Sequence, residues 1–298
     1  TSISTEPGQN SAIFSGNFKQ LMLTHHSAAT PPTYTLRNDK GKVQKTLQDN
    51  AALKQKIDGM NLAKIEFFQF QTQDGVNLNG IMVKPADFDA NKKYPVILFQ
   101  YSGPGSQQVL DSWYAGNCSA ALLERYMAQE GFVSVIVDGR GTGGRGAEFE
   151  KQTYLTLGQL ESHDQVETAI YLSKLPWVDA KHIGIWGWSF GGFNTLMSMS
   201  EGRPVFYAGV AVAPPTSWRY YDTVYTERFM RTPKENQEGY DCSPITRAKN
   251  LSGSLLIIHG LADDNVHFRN VAEYTEALVH ADKDFRQLTY TNRNHSIY

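Results

Sequence analysis

Downstream of residue 95, apolar runs of strand length alternate with helical segments, and this alternation restricts the fold more than any other feature. Val96–Tyr101, Val133–Asp138, Ile183–Trp188, Ala208–Ala213, Leu255–His259 and Arg286–Thr291 read as strands. Helical patterns at Ala120–Glu130 (closed by Gly131), Gln159–Lys174, Phe193–Ser200 and Phe268–Ala281 separate several of them. Strands apolar on both faces cannot leave either face to water, so helices must cover both sides of a mostly parallel sheet. Upstream, Ile65–Phe70 and Leu78–Val83 flank Asp74-Gly75, a hairpin signal. The expectation is an α/β fold with an open, mixed sheet, antiparallel at its start and parallel afterwards.

The first 60 residues read differently, with Pro31-Pro32 and polar stretches. One hairpin is expected: Thr33–Arg37, a turn at Asn38-Asp39-Lys40-Gly41, then Lys42–Leu47. Asn50-Ala51-Ala52-Leu53 reads as a helix start with Asn50 as N-cap. A hairpin and one short helix cannot bury a core of their own. The segment is therefore an arm on the main domain or the tail of another domain. At about 150 residues per domain, 298 residues suggest two domains, yet α/β domains reach about 200–250 as one unit.

Composition removes several functional classes. Hydrophobic residues are 41% and charged residues 19% of the chain, a globular balance. A net charge of −2 and a pI near 6.4 oppose general nucleic-acid binding and polybasic attraction to anionic membranes. No apolar run approaches the ~20 residues that span a bilayer. The N-terminus, Thr-Ser-Ile-Ser-Thr-Glu-Pro, is no signal peptide, and without an initial Met the chain reads as processed or cut. Two cysteines, Cys118 and Cys242, cannot make a disulfide-rich scaffold.

Gly187-Trp188-Ser189-Phe190-Gly191 fits G-x-S-x-G, after a strand and before a helix, as a nucleophile elbow requires. The flanking residues must be small because the turn is tight. A serine hydroxyl needs a base, and the base needs an orienting acid. In the hydrolase order these follow as acid, then histidine. Of the downstream histidines, His295 follows the last strand. His259 lies too close to a strand end and is expected to order the acid loop, while His267 and His280 fall at or beside a helix. The acid lies in Gly260-Leu261-Ala262-Asp263-Asp264-Asn265, where pattern alone leaves Asp263 and Asp264 unresolved. His295 would take the Ser189 proton and return it to the leaving amine, so rates should fall as acid protonates the base. The N–H of Phe190 supplies one oxyanion donor, and the loop Tyr101-Ser102-Gly103-Pro104-Gly105 offers a second through the Tyr101 hydroxyl, unless that tyrosine is structural.

Trp218, Tyr221, Tyr225 and Phe229 recur at helical spacing and predict one aromatic helix face, either core packing or the wall of a substrate pocket. Gly139-Arg140-Gly141-Thr142-Gly143-Gly144 fits a dinucleotide fingerprint, but it follows a later strand and does not lead at once into a helix. No H-x-x-x-H or C-x-x-C cluster supports a metal site. No cofactor is expected.

Gly187–Gly192, Trp218–Arg228 and His259–Phe268 together resemble the dipeptidyl peptidase IV branch of the prolyl oligopeptidase family. Tyr94-Pro95 to Pro104, Asp138-Gly139-Arg140-Gly141 and Tyr34-Thr35-Leu36 to Leu53 match too, so the resemblance covers nearly the whole chain. It implies an α/β-hydrolase fold preceded by the remnant of a β-propeller, with residues 1–60 the propeller end and linker and 61–298 the catalytic domain. It implies Ser189, Asp263 and His295 as the triad, which chooses between the aspartates, and Tyr101 with the Phe190 N–H as the oxyanion hole. Phe190, Pro215, Trp218, Tyr221, Tyr225 and Val266 would surround the penultimate proline, with Asn265 and Arg140 near the substrate backbone. Phe190 stands where the family usually has tyrosine, and Pro215 where it often has valine. The Gly-Arg-Gly loop becomes structural, which disposes of the dinucleotide reading.

The implied activity is a serine exopeptidase that releases N-terminal X-Pro or X-Ala dipeptides through an acyl-enzyme. Alternatives are a prolyl tripeptidyl peptidase, a carboxylesterase and a catalytically silent interaction module. The family's acidic amine anchor belongs to the propeller, and a helix normally follows the catalytic histidine, which here lies three residues before Tyr298. The resemblance also implies peptide substrates with a penultimate proline, a homodimer as the full-length protein, and a periplasmic, secreted or cell-surface location, while charge and hydropathy give no nucleic-acid partner and no membrane segment in this chain.

Overall fold

Strand pairing divides the chain between two sheets. The computed structural model describes residues 3–117 and 119–298, so Thr1, Ser2 and Cys118 lie outside the described residues. Cys242 is a free thiol.

The first sheet contains β1 (Gln9–Phe14), β2 (Gln20–Ser27), β3 (Thr30–Asn38) and β4 (Val43–Gln48), in that order and antiparallel throughout. This is the up-and-down unit from which β-propeller blades are built. The helix α1 (Ala51–Asp58) follows it. The sequence pattern finds β3 and β4 but not β1 and β2. β1 is an exposed edge strand whose QNSAIF run has no apolar alternation, and β2 fully buries only Leu21 and Leu23. Asn50 does not cap α1 through its side chain. It adopts φ 51° and donates Nδ2 to Pro32 O at 2.6 Å, while Asp49 accepts the Ala51 N–H.

The second sheet runs from one edge as β5 (Ile65–Gln71), β6 (Asn77–Val83), β8 (Val133–Asp138), β7 (Tyr94–Phe99), β9 (Val178–Trp188), β10 (Ala208–Val212), β11 (Ser254–Gly260) and β12 (Arg286–Tyr290). The neighbours from β8 through β12 pair parallel. This order, with β7 and β8 exchanged and later strands added in sequence, is that of an α/β-hydrolase sheet. All six residues of β8 are buried, as a strand covered on both faces requires. The remaining helices are α2 (Leu122–Gln129), α3 (Ala147–Glu150), α4 (Gln159–Ser173), α5 (Phe190–Met199), α6 (Thr223–Met230), α7 (Gln237–Asp241), α8 (Pro244–Arg247) and α9 (Arg269–His280). α5 packs on β9 and β10 and against α4. Among the described residues no helix is long and apolar enough to cross a membrane.

Contacts cluster into two compact units. One comprises Thr1–Glu66, Val83–Phe88 and Val109–Gly131, and the other Phe67–Met82, Asp89–Gln108 and Phe132–Tyr298. In the first, Asp111 accepts the Ala28 N–H at 2.9 Å and Arg37 pairs with Glu6. The second contains a core cluster of Leu157, Phe190, Phe193, Met197, Trp218, Met230 and Tyr240.

At the start of α4, Glu161 reaches back to accept the Gly158 N–H at 2.8 Å. Glu161 is fully buried, and burial outweighs its hydrogen bonds and pushes its pKa up to about 8. The folded chain therefore keeps this proton at pH values where the unfolded chain has lost it, and stability falls as pH rises from the ordinary carboxylate range to about 8. Glu161→Gln, which cannot ionise, should gain stability relative to the wild type between pH 5 and pH 8. Thermal melts across that range test this, and parallel curves for the two proteins would refute it.

Candidate active site

Four strand ends meet the candidate residues. Tyr101 follows β7, Ser189 follows β9, Asp263 follows β11 and His295 follows β12. These strands run parallel, so all four residues lie at the carboxyl end of one sheet, where ligands gather in open α/β folds.

Ser189 turns the chain between β9 and α5 with φ 58° and ψ −119°, a backbone conformation costly for a residue with a Cβ. α5 begins at Phe190, three residues earlier than the pattern predicts. Two flanking glycines make the turn possible. A Cβ on Gly187 would lie 2.5 Å from Gln100 O, and one on Gly191 would collide with the same oxygen. The Ser189 N–H donates to Val212 O at 2.8 Å, fixing the elbow against β10.

Asp263 is 3% exposed, whereas Asp264 is exposed. Its Oδ1 accepts the N–H groups of Asn265 (3.0 Å) and Val266 (2.8 Å). Its Oδ2 lies 2.7 Å from His295 Nδ1 and 3.1 Å from His259 Nε2. Burial pushes the carboxyl pKa up, but the hydrogen bonds from His259 and His295 outweigh it, joined by the His295 charge and the Val266 N–H. The group is held well below the usual carboxylate range and is ionised at neutral pH. With Nδ1 committed to Asp263, His295 has Nε2 for any other proton transfer.

The loop carrying His295 is tied down locally. Leu261 N donates to Tyr290 O at 2.9 Å and Ala262 N to Arg293 O at 3.0 Å. Trp188 Nε1 donates to His295 O at 3.0 Å, which places His295 against the residue preceding Ser189. Among the described residues no hydrogen bond joins Ser189 Oγ to His295. Catalytic hydrogen bonds often tighten only around substrate. His259 is buried, and its Nε2 also approaches Val266 O at 2.8 Å. A carbonyl only accepts, so Nε2 carries the proton and straps the acid loop closed. His267 and His280 are exposed.

As the first residue of α5, Phe190 has an N–H with no acceptor in its own helix. The Tyr101 ring lies 6.1 Å from that of Phe190. The Tyr101 hydroxyl makes no hydrogen bond among the described residues, and burial raises its pKa, so it remains a proton donor at neutral pH.

The aromatic stripe does not lie on one helix. Trp218 lies in a single 3-10 turn, Trp218–Tyr220, and Tyr221 is extended. Only Tyr225 and Phe229 belong to α6. Asp222 causes the break, because its side chain accepts the Tyr225 N–H at 2.8 Å and starts a new helix there. The rings nevertheless pack together. Tyr225 lies 5.9 Å from Trp218, 5.4 Å from Tyr221 and 4.9 Å from Phe229 between ring centroids. Phe190, Pro215, Trp218 and Val266 are buried, while Tyr221 and Tyr225 are half-buried. The exposed Asn265 accepts the Tyr221 hydroxyl at 2.8 Å.

Arg140 is held by two carboxylates. Its guanidinium is forked onto Asp164 (closest 2.6 Å) and reaches Asp74 (2.8 Å), with only 6% of the residue exposed. Its charge is committed to these scaffold partners. Sequence reasoning missed Trp188, whose indole anchors His295. Its place inside G-x-S-x-G was the only sign of it.

A model of the prolyl oligopeptidase family matches residues 120–298. The chain belongs to the prolyl oligopeptidase family. It is similar to the crystal structure of Porphyromonas gingivalis dipeptidyl peptidase 4, with a TM-score of 0.95 and 49% identity, covering 100% of this chain and 42% of that one. It is 37% identical over 300 residues to dipeptidyl peptidase 4 of Arthroderma otae, covering 98% of this chain and 38% of that protein. The chain thus spans under half the length of these prolyl oligopeptidase relatives.

The elbow generates one prediction that does not depend on activity. Gly191→Ala should destabilise the fold by roughly 1–3 kcal/mol, because the new methyl meets backbone that cannot move aside. Denaturant melts measure it, and an unchanged midpoint would contradict the close approach.

Proposed function

We propose that this family member is a serine exopeptidase that releases X-Pro, or X-Ala, dipeptides from peptide N-termini. The observation that carries the reading is the buried, ionised Asp263 at 2.7 Å from His295 Nδ1, at the same sheet end as the strained elbow of Ser189. In this mechanism His295 Nε2 takes the Ser189 Oγ proton as the oxygen attacks the carbonyl carbon of the proline. The Phe190 N–H and the Tyr101 hydroxyl receive the charge that develops on the carbonyl oxygen. Collapse of the tetrahedral intermediate expels the leaving amine, which takes the proton from His295 and leaves an acyl-enzyme. Water, deprotonated by His295, then attacks the acyl carbonyl, and His295 returns that proton to Ser189 Oγ as the dipeptide leaves. Asp263 holds the imidazole tautomer and stabilises the imidazolium.

The rings of Trp218, Tyr221 and Tyr225 suit the flat apolar ring of proline, and the names of the relatives support dipeptide release. The domain reading stays with residues 61–298 as catalytic domain and 1–60 as propeller end and linker. The antiparallel sheet β1–β4 supports the propeller part.

Two experiments on the complete natural protein test the proposal. Ser189→Ala should abolish labelling by a fluorophosphonate probe, and Asp263→Asn should lower kcat by about 10⁴ through the wrong imidazole tautomer. Labelling that survives Ser189→Ala would sink the nucleophile. Gly-Pro-anilide should be hydrolysed and Ala-Ala-Pro-anilide should not, and the reverse result would identify a tripeptidyl peptidase.

A further inference from the structure

We infer that Gln100 is a positioning residue that fixes the two oxyanion donors, the Tyr101 hydroxyl and the Phe190 N–H, relative to each other. The inference rests on the catalytic reading above and adds a residue to it. Gln100 lies between the end of β7 and Tyr101 and is fully buried. A long polar side chain is rare there unless every polar atom is used. Here every one is used. Nε2 donates to Gly191 O at 2.6 Å and to Thr195 Oγ1 at 3.0 Å. Oε1 accepts from Ser102 Oγ and from Asn194 Nδ2, each at 3.0 Å.

The partners give the amide its meaning. Ser102 is the residue after Tyr101 and is held at φ 64°. Gly191 is the residue after Phe190, and Asn194 and Thr195 occupy the next turn of α5. One side chain therefore joins the chain around the first donor to the helix that begins with the second. The backbone of the same residue completes the joint, with Gln100 N donating to Trp186 O at 3.2 Å and Gln100 O packed against Gly187 and Gly191. A buried, fully satisfied amide specifies one geometry, whereas an apolar residue of similar size would leave Gly191 O, Ser102 Oγ, Asn194 Nδ2 and Thr195 Oγ1 to find other partners. Oxyanion donors act only when held to about half an ångström, and a misplacement near 1 Å costs about 100-fold.

The test is a double-mutant cycle in the complete natural protein: Gln100→Val, Tyr101→Phe and both together. Gly-Pro-anilide kinetics and the rate of Ser189 fluorophosphonylation are the two readouts, with thermal melts to confirm folding. Gln100→Val is expected to lower kcat roughly 10- to 100-fold with KM changed less than about twofold, and to lower the labelling rate in step. In the Tyr101→Phe background the same substitution should lose most of its effect, because the donor it positions is gone. Unchanged kcat, or an equal loss in both backgrounds, overturns the inference. Should Gln100→Val fail to fold, the isosteric Thr195→Val removes one hydrogen bond of the amide and should show a smaller kcat loss with the same dependence on Tyr101. The catalytic reading fails separately, if Ser189→Ala still labels. If Ser189 is the labelled residue and Gln100 has no effect, only the positioning role falls.

Discussion

Parallel pairing of β7, β9, β10, β11 and β12 is the constraint on which the rest of the second unit depends. Parallel strands must return by crossovers, so their carboxyl ends all open on one side and their loops collect there. Tyr101, Ser189, Asp263 and His295 are far apart in sequence and come to one edge because each follows a strand of the same polarity. The aromatic residues arrive by the same route, since the stretch from Pro215 to Phe229 begins just past β10.

Within that frame two local tensions are held by their surroundings. The first is the backbone of Ser189, kept at φ 58° by the Val212 carbonyl and by glycines that let α5 begin against Gln100. The second is the charge of Asp263 in a buried position. Four hydrogen-bond donors, two from backbone and two from imidazoles, replace the water that the carboxylate has lost. The Asp263 oxygens also organise the loop, because the Asn265 and Val266 N–H groups that stabilise the charge set the path of the chain toward α9. Ionisation and loop shape are one arrangement, supported from below by His259.

Much of this was legible beforehand because it rests on period and spacing. Val133–Asp138 was marked by a strand-length run of Val133, Val135, Ile136 and Val137 broken only by Ser134, and the elbow by glycines that only a close approach requires. β1 was not legible, since an exposed edge strand needs no apolar face. The break at Asp222 was missed because helical periodicity continues through it. The competition between its carboxylate and the helix for the Tyr225 N–H is a local hydrogen-bond matter that periodicity does not register. The partners of Arg140 were hidden for a related reason. A sequence shows an arginine beside a glycine turn, but not that Asp164, one turn into α4, and Asp74 already claim its guanidinium.

The sequence by itself determined the fold class, the order of the candidate nucleophile, acid and base, and the family resemblance, because strand periodicity and motif spacing are properties of the chain read in one dimension. Which aspartate is buried, which nitrogen of His295 faces it, and which side chains brace the loops were decided only by the tertiary structure. Those outcomes depend on desolvation and on hydrogen-bond partners tens of residues away. Asp263 and Asp264 are the plainest case: adjacent and chemically identical, they differ only in that the fold removes one from water and supplies it with donors.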